Sequence, residues 1–237
     1  MAKLLLVDDD DDALTWMKAA LESRGHEVSS FRTGREALAV LDTWRPDLIV
    51  ADILMPEMDG LSFARIVRRR NHVPVMFVSI AKKQAEAVLA GGLGYVQKPS
   101  SAPELRAAVE RVLGDLGRQS TILVVDDDPD IRELYRVFLE PSFAVVTSQN
   151  GKEALDVMRE RHIDLAVVDV NMPVMNGAEL IRAIRRDPEL ESTPVVVQTS
   201  DRAALSAPVW GPLHVARVME KTSFVDWCEG QIGAPAP

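Results

Sequence analysis

Short apolar runs alternate along the chain with segments whose apolar residues recur at intervals of three or four. The runs indicate strands buried on both faces, and the wider spacing indicates helices with one buried face. In the first half the predicted strands are Leu4–Val7, Leu48–Ala51, Val75–Val78 and Tyr95–Val96. Three helices are marked by their apolar faces: Leu14 with Met17 and Leu21, Ala37 with Leu38 and Leu41, and Phe63 with Ile66 and Val67. A short helix near Lys82–Ala90 and a last helix from Pro103 to Leu113 follow them.

The second half follows the same plan with one departure. Its predicted strands are Ile122–Val125, Ala144–Thr147, Leu165–Val168, Val195–Gln198 and Val215–Met219. Its predicted helices lie near Asp130–Glu140, Lys152–Arg161 and Ala178–Arg186. Where a fourth helix is expected, Pro208, Gly211 and Pro212 break the pattern. Trp210 in this segment is interpreted as a core residue, with an exposed contact residue as the alternative. Alternation of strands and helices predicts a doubly wound α/β sheet with parallel strands in each half.

The two halves also repeat at the level of residue type. The stretch Leu4–Asp10 returns at Ile122–Asp128, and Asp126 lies 118 residues after Asp8. The stretch around Asp52 returns around Asp169, 117 residues later. A repeat of this length is a duplicated domain rather than a solenoid unit. We therefore expect domains at 1–115 and 121–233, joined by a linker at 116–120 and followed by a disordered tail at 234–237.

Composition limits the class of protein. The net charge is −9, with 15 basic and 17 acidic residues up to Gly117 and 12 and 19 after it, so neither half has the basic excess of a nucleic-acid binder. The one basic run, Arg68–Arg70, ends a predicted helix, where it complements the helix dipole. One cysteine excludes an intrachain disulfide, and no apolar stretch is long enough for membrane insertion. These features predict a cytoplasmic protein.

Polar residues follow the predicted strands of the first domain and should meet at one edge of the sheet. Asp8 and Asp9 follow the first strand, and Asp52, Ser79 and Lys98 follow later ones. Three carboxylates repel one another unless a cation binds, and an oxygen-only cluster suits Mg²⁺. A lysine and a hydroxyl opposite the metal can neutralise and hydrogen-bond an incoming phosphoryl group. One carboxylate can then act as a nucleophile and form an acyl phosphate.

This set resembles the receiver domain of two-component response regulators, of which the chemotaxis response regulator is the single-domain form. The features agree in order: an Asp-Asp pair, a D-x-x-M-P-x-M-[DN]-G stretch, a Ser or Thr after strand four, and a lysine after strand five. The resemblance covers both halves. It implies two flavodoxin-like (βα)5 receiver domains in tandem, each with a central parallel sheet.

The resemblance also implies a role for each matching residue. The phosphoryl acceptors would be Asp52 and Asp169. The metal ligands would be Asp9, Asp52, Asp127 and Asp169, with the backbone carbonyls of Leu54 and Asn171, while Asp8 and Asp126 would support Mg²⁺ through water. The phosphoryl group would be held by Ser79 and Thr199 and contacted by Lys98 and Lys221. Tyr95 would be the aromatic residue that changes rotamer on phosphorylation.

The second copy departs from the family pattern. Val218 stands where the first domain has Tyr95, and Thr222 follows Lys221 where Pro99 follows Lys98. In the family the bond before that proline is cis. The interval from the acceptor to the hydroxyl residue is 27 residues in the first domain and 30 in the second. The interval from the hydroxyl residue to the lysine is 19 residues in the first domain and 22 in the second, which is close to the family's usual interval, so the first domain's fourth helix should be about a turn shorter than normal. The second domain is therefore expected to be a degenerate or docking receiver.

The sequence thus predicts a response regulator without an output domain, because no length remains for a DNA-binding or nucleotide-cyclising domain. A histidine kinase or phosphotransfer protein would donate the phosphoryl group, and a downstream signalling protein would read it in chemotaxis, motility or a phosphorelay. Apart from self-catalysed phosphotransfer and autodephosphorylation, no enzyme activity is expected. The alternatives are a Mg²⁺-dependent aspartyl-phosphate phosphohydrolase and a phosphorylation-independent scaffold, with a nucleotide-binding fold as a weaker third. The oligomeric state is left open.

Overall fold

A computed structural model describes residues 1–98 and 100–232 of the chain. Residues 1–118 form one compact unit and residues 119–230 form another. The domain boundaries expected from the repeat remain a prediction. The peptide bond before Pro99 and the tail expected at 234–237 lie outside the described residues. Within the described residues, no helix combines the length and apolar composition needed to span a bilayer.

The first unit is a five-stranded parallel sheet in the order β2-β1-β3-β4-β5. Its strands are β1 (Lys3–Val7), β2 (Glu27–Phe31), β3 (Leu48–Ala51), β4 (Val75–Ser79) and β5 (Gly92–Gln97). Its helices are α1 (Asp11–Glu22), α2 (Gly34–Val40), α3 (Gly60–Arg70), α4 (Gln84–Leu89) and α5 (Ala102–Gly114). The six-residue α4 agrees with the short fourth helix expected from the sequence.

The second unit has the same topology, with strand order β7-β6-β8-β9-β10. Its strands are β6 (Thr121–Val125), β7 (Ala144–Ser148), β8 (Leu165–Asp169), β9 (Val195–Thr199) and β10 (Arg217–Glu220). Its helices are α6 (Pro129–Leu139), α7 (Gly151–Glu160), α8 (Gly177–Arg186), α9 (Arg202–Leu205) and α10 (Phe224–Ile232). The predicted fold class, two flavodoxin-like parallel sheets in tandem, is confirmed.

The central strands form because their residues are apolar on both faces. All residues of β3 and of β4 are buried, as are Leu4–Val7 of β1. In the first unit, one apolar layer lies under α2 and α3 and the other lies under α1 and α5. Strand β2 was not marked by an apolar run, because it is an edge strand in which only Val28 is buried.

Asparagine and aspartate caps start several helices close to the carboxyl ends of the strands. Asp10 accepts hydrogen bonds from the backbone of Asp12 and Ala13 and caps α1, and Asp128 accepts one from Asp130 and caps α6. Asp59 and Asn176 cap α3 and α8 in the same way. Such caps satisfy backbone donors that a helix leaves free. They fix the loops that carry the candidate functional residues.

The proline-containing segment of the second unit has no ordinary fourth helix, as predicted. Helix α9 has four residues and is followed by a 3-10 helix at Pro208–Trp210. Trp210 is buried, and its indole N–H donates to the carbonyl of Ala204 at 2.6 Å, which confirms the core interpretation of this side chain. Arg185 of α8 donates to the carbonyls of Leu213 and His214 and so ties this segment to the body of the unit.

Two turns that follow β3 and β8 carry backbone strain. The φ angle is 64° at Glu57 and 69° at Val174, and the amides of Met58 and Met175 donate to carbonyls two residues earlier at 2.7 and 2.8 Å. This is the strained type of γ-turn, and a β-branched residue adopts positive φ with particular difficulty.

Val174→Gly is therefore expected to raise the free energy of unfolding of the second domain by about 1 kcal/mol, because glycine adopts positive φ without a steric clash. Urea unfolding of the full chain measures the change. Val174→Ala is the control, since it trims the exposed side chain but keeps the Cβ atom that causes the strain. An equal gain from both variants would show that exposure rather than backbone strain is responsible.

Candidate functional site

Three acidic side chains converge at the carboxyl edge of the first sheet. Asp8 and Asp9 follow β1 and Asp52 follows β3, and a carboxylate oxygen of each lies within 4.8 Å of the others. Asp8 and Asp52 are buried, whereas Asp9 is exposed. A set of hard oxygen ligands with one exposed member suits Mg²⁺, which retains several waters when it is bound by protein. The residues that the sequence predicted to hold a metal are thus brought together in this domain.

Lys98 and Ser79 complete the first cluster. Lys98 follows β5, and its Nζ contacts Asp8 Oδ2 and lies 3.1 Å from Asp52 Oδ2. Ser79 ends β4 and is fully buried, and its Oγ accepts the backbone N–H of Ala81 at 3.3 Å. This contact uses a lone pair of the oxygen and not the hydroxyl hydrogen, so the hydroxyl can still donate that hydrogen to a bound group.

The second unit repeats this arrangement. Asp126, Asp127 and Asp169 bring their carboxylate oxygens within 4.8 Å of one another. Lys221, which follows β10, places Nζ 2.7 Å from Asp126 Oδ2 and 3.3 Å from Asp169 Oδ2. Thr199 lies fully buried at the end of β9 and accepts the N–H of Asp201 at 3.0 Å, whereas the neighbouring Ser200 is exposed.

Burial sets the direction of the pKa shift for the carboxyl groups of Asp8, Asp126 and Asp169 but not for the lysines. Burial raises the pKa of Asp8 and outweighs the opposing hydrogen bond from Lys98. It raises the pKa values of Asp126 and Asp169 in the same way, against the effect of Lys221. Burial alone would lower the pKa of each lysine, but the two carboxylates beside it raise that pKa instead. One lysine stays charged among three crowded carboxylates, so each cluster is short of positive charge.

Asp8→Asn is therefore expected to raise the stability of the metal-free first domain at neutral pH, because it removes a carboxylate whose burial outweighs its contact with Lys98, while Lys98 keeps its ion pair with Asp52. A raised pKa in the folded state means that ionisation of Asp8 opposes folding above that pKa. The penalty disappears as the pH falls toward 3.8, the value for an unburied aspartate. The advantage of asparagine should shrink over the same range.

Urea unfolding in EDTA between neutral and acidic pH measures this effect. Asp42→Asn is the control, because Asp42 is exposed and its neutralisation should change stability little. A gain for Asp8→Asn that does not depend on pH would contradict the electrostatic explanation.

Leu54 and Asn171 stand two residues beyond Asp52 and Asp169. The N–H of Leu54 donates to Asp52 Oδ1 at 3.2 Å, and both side chains are exposed. Neither position supplies a second acid next to the buried carboxylate. The backbone carbonyls of these residues were predicted as metal ligands from the resemblance, and that role stays a prediction.

Gly60 and Gly177 have a structural role that the sequence reading did not assign. A Cβ atom on Gly60 would lie 2.0 Å from the carbonyl oxygen of Asp52, and one on Gly177 would lie 2.2 Å from that of Asp169. Real Cβ atoms do not approach a carbonyl oxygen so closely, so only glycine lets α3 and α8 begin there. The sequence signal for this role was the glycine that ends the D-x-x-M-P-x-M-[DN]-G stretch in both domains.

The predicted switch position differs between the domains. The hydroxyl of Tyr95 donates to the carbonyl of Ala81 and lies 3.3 Å from the carbonyl of Ser79, so it touches the loop that follows the candidate hydroxyl residue. Val218 is partly buried in β10 and pairs with Val197 in the sheet. The second domain thus has no hydroxyl group at this position.

Comparisons with known proteins identify a family that matches both halves of the chain. The family model described as the response regulator receiver domain matches residues 4–110 and 122–209. The chain is 34% identical over 124 residues to the transcriptional regulatory protein AfsQ1 of Streptomyces coelicolor, covering 51% of this chain and 55% of that protein. It is 41% identical over 118 residues to an uncharacterized 14.6 kDa protein of Leptolyngbya boryana, covering 44% of this chain and 89% of that protein.

Among solved structures, the chemotaxis response regulator CheY4 of Vibrio cholerae is 32% identical, covers 47% of this chain and 98% of its own, and has a TM-score of 0.45. The chain spans about half the length of AfsQ1 and of several other curated relatives that it matches. The family model covers most of the chain and both copies of the repeat. The protein therefore belongs to the response regulator receiver-domain family.

Proposed function

We propose that this protein is a two-component response regulator in which aspartate accepts a phosphoryl group from a histidine kinase or phosphotransfer protein. Receiver domains serve two-component signalling and interact with such donors. The observation that supports the proposal most strongly is the recurrence, in both units, of three clustered carboxylates with a lysine in ion-pair contact. A buried hydroxyl ends the fourth strand of each unit as well.

In the first domain we assign the nucleophile to Asp52. One of its carboxylate oxygens attacks phosphorus as the bond from phosphorus to the donor breaks, which gives an acyl phosphate. Ser79 donates its hydroxyl hydrogen to a phosphoryl oxygen, and Lys98 transfers its contact from the Asp52 carboxylate to the phosphoryl group. Asp169, Thr199 and Lys221 play the same parts in the second domain.

The metal in this proposal is Mg²⁺, and the donor set fits it. Asp9 and Asp52 would hold it directly with the carbonyl of Leu54, and Asp8 would hold it through water; Asp127, Asp169, Asn171 and Asp126 would do so in the second domain. Bound Mg²⁺ supplies positive charge that offsets the crowded carboxylates and the phosphoryl oxygens. Without that charge, an anionic donor would meet a cluster that is already negative.

We assign the two domains different tasks. The first domain is the principal acceptor and switch, because it has Tyr95 against the loop that follows Ser79. The second is a docking or phosphoryl-sink partner, because Val218 replaces the tyrosine and a buried Trp210 closes the remodelled segment. The output is a contact with a downstream signalling protein in the cytoplasm, in chemotaxis, motility or a phosphorelay.

Enzymatic turnover is limited in this proposal to the protein's own aspartyl phosphate, which water hydrolyses to return the carboxylate and inorganic phosphate. A phosphohydrolase acting on other phosphate esters is less well supported, because neither Leu54 nor Asn171 supplies a second acid. Turnover of a generic phosphate ester by the full chain would favour that rival.

The test is phosphorylation of the full chain by labelled acetyl phosphate. We expect label in the presence of Mg²⁺, almost none in EDTA, and none above background in the Asp52→Asn/Asp169→Asn double variant. Unchanged label in the double variant would place the modification elsewhere and overturn the proposal. A chain that takes no label and whose thermal stability does not respond to Mg²⁺ would instead be a scaffold.

A further inference from the structure

A buried amide lies directly beneath the second site. Gln198, on β9, is fully buried, and its Nε2 donates to Asp126 Oδ2 at 3.3 Å. Its Oε1 has no hydrogen-bond partner within the described part of the chain. Burying an amide whose oxygen is unpaired costs free energy that an apolar side chain would not cost. The position therefore calls for an explanation beyond packing.

The first domain lacks this group. Gln198 precedes Thr199 as Val78 precedes Ser79, and Val78 packs in an apolar cluster. Asp8 accepts the N–H of Asp10 on Oδ1 and the lysine on Oδ2. In the second domain, Asp126 accepts the N–H of Asp128 at 3.0 Å and Lys221 at 2.7 Å, with the amide of Gln198 as an additional donor.

The orientation of this amide follows from the charge of its partner. An amide oxygen facing the ionised Asp126 carboxylate would be repelled, whereas the amide nitrogen is attracted, so Nε2 faces Asp126. Its contact is also to Oδ2, the same oxygen that receives Lys221. The carboxylate is thus restrained from two directions.

A second buried polar side chain hydrogen-bonds the backbone of Lys221. Tyr135 of α6 is buried, and its hydroxyl donates to the carbonyl of Lys221 at 3.1 Å. Tyr135 lies nine residues after Asp126, as Met17 lies nine residues after Asp8 in the first domain. The second domain thus has two buried polar side chains, Gln198 and Tyr135, where the first has Val78 and Met17.

We propose that Gln198 is a positioning residue for Mg²⁺ at the second site, which fixes the Asp126 carboxylate before the metal binds. This inference rests on the proposed function, since it assumes that the acidic cluster binds Mg²⁺. A carboxylate already held in place loses less freedom when the metal and its waters arrive. Partners that orient a metal's direct ligands typically contribute tenfold or more to affinity, and a partner of Asp126, which would hold Mg²⁺ through water, should contribute less.

The experiment is a Mg²⁺ titration of the ¹⁵N-labelled full chain, with the two sites followed separately through the amides of Asp10 and Asp128. Gln198→Met removes the amide while keeping nearly the same side-chain volume. We expect it to raise the Mg²⁺ Kd of the second site by about threefold, less than for a partner of a direct ligand, and to leave that of the first site unchanged. Val78→Met is the matched control and should change neither Kd.

A purely structural role is distinguished by a spectroscopic signature. In the metal-free protein, Gln198→Met should shift the ¹³C resonance of the Asp126 carboxyl carbon, because a hydrogen bond to that group is lost. Should this variant fail to fold, Gln198→Val, which places the first domain's residue there, is measured in the same way.

The outcomes separate this inference from the proposed function. If both sites of the wild-type chain bind Mg²⁺ but Gln198→Met leaves the Kd of the second site unchanged, the positioning role alone is overturned. A wild-type chain in which neither site responds to Mg²⁺ would overturn the proposed function, and the positioning role with it.

Discussion

Replacing Asp52 with asparagine is expected to remove most of the phosphoryl label that the wild-type chain accepts from acetyl phosphate, whereas Asp169→Asn should remove the smaller part. An amide is not a nucleophile toward phosphorus, so each substitution silences one site completely. We assign the larger share to Asp52 because the first domain also has Tyr95 against the loop that follows Ser79, whereas the second domain has Val218 at that position.

The control variant is Asp59→Asn, which gives the first domain the asparagine that the second domain has at the matching position. Asp59 caps α3 where Asn176 caps α8, so Asp59→Asn removes a nearby carboxylate while keeping a residue that caps helices well. This variant should be labelled like the wild type. If the label persists in Asp52→Asn and vanishes in Asp169→Asn, the assignment of the principal acceptor is reversed.

The sequence predicted those parts of the fold that depend on local pattern. Leu4–Val7 and Ile122–Val125 are apolar at every position, and both runs are fully buried in central strands. Strand β2 escaped prediction because an edge strand with one buried residue leaves little periodicity in the sequence. The proline-broken segment around Trp210 was recognised because proline acts on its own backbone and on the residue before it.

The candidate site was predicted to the extent that it lies at strand ends. A parallel sheet brings the carboxyl ends of its strands to one edge, so Asp8, Asp52 and Lys98 could be placed together from the topology alone. Contacts through the core could not be foreseen in this way. Gln198 reads as an ordinary strand residue, and only the folded structure brings it to Asp126, 72 residues away.

A phosphoryl analogue such as beryllofluoride is expected to change the two domains unequally. In the full chain with Mg²⁺, amides near both Asp52 and Asp169 should shift in ¹H–¹⁵N spectra, because both sites hold the analogue. In the first domain, shifts should extend to Ala81 and Tyr95. When the Ser79 hydroxyl turns to the analogue, the loop after it moves, and that loop carries the carbonyl to which Tyr95 donates.

In the second domain the shifts should stop short of Val218 and Trp210. Val218 has no hydroxyl with which to follow the loop, and the indole of Trp210 is buried and bonded to Ala204. A ligand shifts a conformational balance only where a second arrangement of similar free energy exists. The packed indole of Trp210, whose N–H already has an acceptor, offers no second arrangement. The surface around Trp210 should therefore bind a partner constantly and not in response to phosphorylation.

Tyr95→Val supplies the matched comparison, because it gives the first domain the residue type that the second has at this position. Its amides near Asp52 should still respond to beryllofluoride, while the distant shifts near Ala81 should fall to the level of the second domain. Large shifts around Trp210 in the wild-type chain would show that the second domain switches by another route. The hydrogen bond from Tyr135 to the carbonyl of Lys221 would then be the first contact to test, since it leads from the site to α6 instead of to α9.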